Sequence, residues 1–138
     1  MSLLKMILNK KIANTGVILA FLSVVLGAFG AHGLKDLASP EAIQSFTTGV
    51  RYEMYHALAL LFLSLLSIDQ KGILRAYYFF VIGIVLFSGS IYALTAASIF
   101  DKSLGMFALL TPIGGLCLLI GWAILFITLL KNSQSKSK

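Results

Sequence analysis

The side chains able to do chemistry in this chain gather in two short stretches. GAFGAHG, residues 27–33, carries His32, and RYEMYHALAL, residues 51–60, carries Arg51, Tyr52, Glu53, Tyr55 and His56, so both histidines of the sequence are among them. On a helix Glu53 and His56 share a face at i and i+3, with Tyr52 one turn before His56. Four chemistries use such residues. The simplest is anchoring: Arg51 and Glu53 at the lipid headgroup level, Tyr52 and Tyr55 in an aromatic belt, and histidines hydrogen-bonded between helices. A metal site from His32, Glu53 and His56 has the donor types for zinc or iron but only three ligands. The Glu-x-x-His pattern of di-iron bundles needs a second copy and further glutamates, and the chain has only Glu41 and Glu53. Bis-histidine haem ligation by His32 and His56 lacks any other mark of a haem pocket. A proton or substrate path is the fourth, because ionisable groups at membrane depth are costly and often functional.

The elements that position these residues are membrane helices. The 138 residues are 59% hydrophobic and only 12% charged, with mean hydropathy +0.95, against roughly 45–50% and about 25% in soluble domains. A net charge of +6 would suggest nucleic acid in a soluble protein, but here the basic residues flank apolar runs, so no nucleic-acid partner is expected. The single cysteine, Cys117, lies inside an apolar run and offers neither an intrachain disulfide nor a cysteine zinc site.

A hydrocarbon layer about 30 Å thick needs roughly 20 helical residues, and four stretches supply them: 13–33, 51–68, 74–99 and 104–130. The second is free of charge only from Tyr55 to Ile68, so it has to reach back through Glu53 and Arg51 to span. Pro112 lies inside the fourth and is expected to kink it. The lysines before the first run also fit a cleaved signal peptide, but three further runs and an even-numbered topology favour a retained first span. Lys5, Lys10, Lys11, Lys71, Arg75, Lys131, Lys136 and Lys138 fall on one side, and Lys35, Arg51 and Lys102 on the other, which places both termini in the cytoplasm. The tail, 131–138, is expected to be disordered.

Between the first two spans, Ser39, Pro40 and Glu41 read as a helix N-cap, a first-turn proline and a dipole-matched acid. Ile43, Phe46, Val50, Met54 and Ala57 then recur at helical spacing, predicting an amphipathic helix on the outer interface that bends or runs into the second span. Residues 1–11 are a weaker candidate for an inner interfacial helix. His32 and the Arg51 to His56 group are accordingly expected at one depth near the outer interface. Small residues predict close helix packing: Gly27, Gly30, Ala31 and Gly33 in the first span, Gly89 with Ala93 in the third, and Gly114, Gly115, Cys117 and Gly121 in the fourth. The glycines at 27, 30 and 33 do not fit G-x-G-x-x-G and follow no strand, so phosphate cradling is unsupported. Ser88 and Ser90 are expected to bond within or between helices, and Trp122 and Phe126 to pack or face lipid.

LGAFGAHGL at 26–34, YEMYHALALL at 52–61, LFSGSIYAL at 86–94, and TPIGG followed by GW at 111–122 occur together and in order. On these motifs, which fall in all four runs, the chain resembles the YgdD-like small membrane proteins, a group of unestablished biochemical role with a related eukaryotic branch. The resemblance implies a four-span protein of the bacterial inner membrane, adds no reaction or cofactor, and points to His32, Tyr52 and His56 rather than Glu53. The expectation is an all-α integral membrane four-helix bundle in the lipid bilayer, non-enzymatic and without a cofactor. It would act as a structural, stabilising or accessory subunit of a homo-oligomer or larger membrane complex. A small oligomeric transporter or channel is the alternative, and a metal- or haem-binding protein using His32 and His56 the third reading.

Overall fold

The computed structural model describes residues 9–135, with side chains to Ser133. The candidate inner interfacial helix before Asn9 and residues 136–138 lie outside them. Four α-helices follow in order, α1 (Lys10–His32), α2 (Pro40–Ser64), α3 (Gln70–Ile99) and α4 (Gly105–Ser135), with no strand among the described residues.

Local chemistry sets their ends. The Asn9 side chain accepts from the Ile12 N–H at 3.3 Å and caps α1, while the Asn9 N–H donates to the Ser64 carbonyl at 3.0 Å, tying the start of α1 to the end of α2. Ser39 caps α2 by accepting from the Ala42 N–H at 3.2 Å, with Pro40 in the first turn where its missing donor costs nothing. Glu41, beside this cap, has its carboxyl held below the usual range by its own backbone N–H and then by the Ser39 hydroxyl. Asp69 caps α3 through the Lys71 N–H at 3.1 Å. At the other end of α3, Asp101 turns the chain with φ 51°, a left-handed conformation that aspartate tolerates better than most residues.

Because Ser39 and Pro40 start α2 and nothing interrupts it, the amphipathic segment and the second apolar run form one 25-residue helix, about 38 Å long. It stops at Ser64, short of the expected Ile68. Helix α4 runs through Pro112 as one element and continues to Ser135, five residues into the stretch expected to be disordered. Helices α1, α3 and α4 are each long and apolar enough to cross a membrane. Helix α2 falls short of that composition because it holds Glu41, Arg51, Glu53 and several hydroxyl side chains.

Each helix packs chiefly on its sequence neighbour, α1 on α2, α2 on α3 and α3 on α4. Every pair is antiparallel. Gly16 meets Ala57 and Gly30 meets Phe46 between α1 and α2, while Ser88 reaches Gly49 and Phe80 lies against His56 between α2 and α3. Between α3 and α4, Gly72 abuts Thr128, Gly83 abuts Leu118, and Gly114 lies against the Phe87 backbone. The fully buried Phe80, Leu60, Leu63 and Ile73 centre the core, with Phe80 filling the space above Gly121.

The close approaches partly follow the small-residue pattern. Gly30, Gly114 and Gly121 each lie against another helix, and Gly27 and Gly115 meet Val50 and Phe87 at ordinary contact. Gly33 faces its own Phe29, Ala31 is exposed, Ala93 and Cys117 are half-buried, and nothing lies within 4 Å of a methyl placed on Gly89. The Gly89 and Ala93 pair is therefore not a packing notch within this chain. Gly16, Gly49, Gly72 and Gly83, which no small-xxx-small pair singled out, are notches, because the residue opposite each one is what closes the gap.

A side chain at Gly114 would collide with backbone, which cannot swing aside. We expect Gly114→Val to destabilise the bundle by about 1–3 kcal/mol or to prevent folding, and Gly89→Ala to be neutral or stabilising by up to about 1 kcal/mol. Thermal unfolding of the two variants in one detergent checks the contrast.

Candidate functional site: a polar seam along the second helix

Polar side chains buried within the bundle line the faces of α2 that meet its neighbours. At the first level, the Ser23 hydroxyl on α1 donates to the Val50 carbonyl at 2.8 Å, and the Ser88 hydroxyl on α3 donates to the Gly49 carbonyl at 2.7 Å. Both carbonyls already serve the α2 ladder and take these bonds on their second lone pairs. One turn further, Glu53 is 3% exposed, and the Tyr92 hydroxyl donates to its Oε2 at 2.5 Å. Tyr92 reaches that level because helical side chains lean toward the helix N-terminus, which on α3 means back toward Glu53.

His56 follows, 5% exposed and held on both ring nitrogens. Nδ1 lies 2.7 Å from the Tyr52 carbonyl, and the Trp122 indole N–H donates to Nε2 at 3.0 Å. A carbonyl only accepts and an indole only donates. The hydrogen must therefore sit on Nδ1, and the Nε2 lone pair is committed to Trp122. Phe80 closes the site, its ring centroid 5.4 Å from His56 and 5.1 Å from Trp122. This bond joins α4 to α2 across a gap that backbone packing leaves open. On the α4 side of α3, Ser90 and Thr111 pair at 2.7 Å.

The expected cluster is thus divided. Glu53 and His56 are buried about halfway along α2, not at a helix end, because α2 begins at Pro40 rather than near Arg51. Arg51, Tyr52 and Tyr55 share that depth but are exposed, Tyr52 with its ring against Phe87 at 4.9 Å. His32 is exposed at the end of α1, level with the turn of α2 around Phe46, which Gly30 packs against. Phe46 precedes His56 by ten residues, about 15 Å at helical rise. The histidines do not converge, and the one lone pair His56 could give a metal or haem iron is taken. No group of three or more histidine, cysteine or acidic side chains fit to hold a metal occurs among the described residues.

The sequence reading missed Trp122 and Tyr92 as members of the seam. Trp122 carried a signal, since an indole donor in an apolar helix needs a partner. Tyr92 lies two turns from the level it serves, and its partner is readable only from the packed helices.

Removing Trp122 N–H or Tyr92 O–H strands a buried acceptor. We expect Trp122→Phe and Tyr92→Phe each to cost about 1–3 kcal/mol, while Tyr55→Phe and His32→Ala leave stability within about 0.5 kcal/mol. Denaturation in detergent, with a double-mutant cycle between His56 and Trp122, measures both.

The comparisons with known proteins agree with this architecture. Residues 26–115 match the family described as "Protein of unknown function (DUF423)". The UPF0382 membrane protein YwdK of Bacillus subtilis is 40% identical over 119 residues, covering 84% of this chain and 93% of its own length. A UPF0382 membrane protein of Haemophilus influenzae is 42% identical over 103 residues, 74% of this chain and 79% of its own. The UPF0382 inner membrane protein YgdD of Escherichia coli is 37% identical over 111 residues, 78% and 79% respectively. No solved structure matches the chain. An all-helical membrane bundle whose matched segment runs from the end of α1 into α4 therefore belongs to the DUF423 family of UPF0382 membrane proteins, the group that includes YgdD.

Proposed function

We propose that this protein is a four-span, non-enzymatic subunit of the bacterial inner membrane, with both termini cytoplasmic, working within a homo-oligomer or a larger membrane complex. Support for the fourth span comes from packing. Helix α2 lies antiparallel between α1 and α3 and meets them from Phe46 to Leu61, so a bilayer that holds those two helices holds α2 as well. Support for the orientation comes from the lysines and arginines at the α2–α3 connection and at the chain ends.

One observation carries the subunit reading. Arg51 is exposed halfway along α2, ten residues or about 15 Å from Glu41 at the helix start. That is farther than its side chain extends toward the headgroups. A guanidinium at this depth is costly unless something polar meets it, and an adjoining subunit is the simplest source. The buried polar groups of the seam are spent on one another, which fits a structural role for them.

The second reading, a small oligomeric transporter, draws on Glu53, a carboxyl buried at the same depth with Tyr92 as its partner. Proton flux into proteoliposomes that disappears in Glu53→Gln would favour it over the subunit reading.

Arg51→Leu should shrink the particle isolated in mild detergent while leaving the unfolding temperature of the chain unchanged or higher. An unchanged particle size removes the argument. For topology, in a Cys117→Ala background, Lys35→Cys and Lys102→Cys should react with a membrane-impermeant maleimide in intact spheroplasts. Lys71→Cys and Lys131→Cys should react only after permeabilisation.

A further inference from the structure

We propose that a cavity between the start of α3 and the end of α4 is a binding site for the phosphodiester headgroup of an anionic phospholipid. The cavity measures about 260 Å³, and Arg75 and Lys131 both line it. It exists because Gly72 has no side chain to fill the space beside Thr128, so α3 and α4 touch there and leave a recess flanking the contact.

The two cations converge on that recess for a geometric reason. Arg75 is one turn beyond Gly72 on α3, and Lys131 is one turn beyond Thr128 on α4. The helices are antiparallel, and side chains on each lean toward their own N-terminus. Arg75 therefore leans out toward the membrane surface and Lys131 leans inward from it, toward the same level. Both are exposed. Arg75 offers a planar fork suited to phosphate oxygens, and Lys131 a mobile point charge.

The remaining lining fits a lipid better than a free anion. Ile124 and Ile127 form a wall that continues from the recess along α4, and Ile127 is half exposed, as a surface for an acyl chain has to be. Asp69 also borders the cavity, but its carboxylate accepts the Lys71 backbone N–H at 3.1 Å and serves as the cap of α3. Arg75 and Lys131 outnumber this acid. That balance suits a headgroup carrying net negative charge over a zwitterion. Basic recesses between membrane helices are a recurring form of anionic-lipid site. The site does not depend on the subunit reading above.

The test uses full-length protein in mild detergent, titrated with phosphatidylglycerol, phosphatidylethanolamine or phosphatidylcholine of matched acyl chains, with bound lipid read by native mass spectrometry. Phosphatidylglycerol should bind at one site and more tightly than either zwitterion. Arg75→Gln should weaken it about fivefold and Arg75→Gln with Lys131→Gln about 25-fold, while Lys102→Gln at the opposite end leaves it unchanged. Lys131→Gln alone, near the end of α4, supplies the reading if the double variant does not survive purification. Equal binding of the three lipids, or phosphatidylglycerol affinity unaffected by loss of these two charges, overturns the proposal.

Discussion

A helix that buries a carboxyl and an imidazole halfway along its length is tolerated inside a bundle only if other helices supply their hydrogen-bond partners. That requirement governs α2. Tyr92 from α3 meets Glu53, Trp122 from α4 meets His56, and serines from α1 and α3 bond to the carbonyls one turn earlier. Each bond fixes a rotation and a height for α2 against the helix that supplies it. Sliding α2 by one residue would turn these groups away from their partners, so the polar seam sets the register of the bundle more firmly than apolar contacts could.

Such bonds are short-range, and the backbones must come close for them to form. Glycine makes this possible in each interface: Gly16 and Gly30 on α1, Gly49 on α2, Gly83 on α3, and Gly114 and Gly121 on α4. In lipid there is little hydrophobic drive between helices, so dispersion contacts at these notches and hydrogen bonds along the seam provide the cohesion together. The division of labour differs along the chain. Helices α3 and α4 join through glycine notches from Gly72 to Gly114, whereas α4 reaches α2 through the single indole bond to His56. A cavity of about 540 Å³ lined by His56 and Trp122 lies beside that bond, and another of about 480 Å³ opens between the first turns of α2 and α4, against α3.

Family membership and structure agree on what kind of molecule this is. The relatives are named only as membrane or inner membrane proteins, and the seam accounts for Tyr52 and His56 of the YEMYHALALL motif as an α2 carbonyl and the ring it orients. Glu53, set aside on the strength of that likeness, is as deeply buried as His56, and its Oε2 accepts from the Tyr92 hydroxyl.

The sequence by itself determined the class of fold, because length and polarity of apolar runs are local properties that the bilayer reads directly. It also determined the start of α2, since Ser39, Pro40 and Glu41 act within one turn. Depth and partnership were decided by tertiary structure. Counting from Arg51 put Glu53 and His56 at the membrane edge, but the uninterrupted helix from Pro40 carries them to its middle. GAFGAHG promised a histidine placed near His56 by glycine packing, yet an antiparallel α1 leaves His32 at the far end, exposed, with Gly30 alone closely packed on Phe46. Which glycines are notches depends on the residue opposite, and which polar groups meet depends on register. Neither is encoded in spacing along one helix, because each is a relation between two.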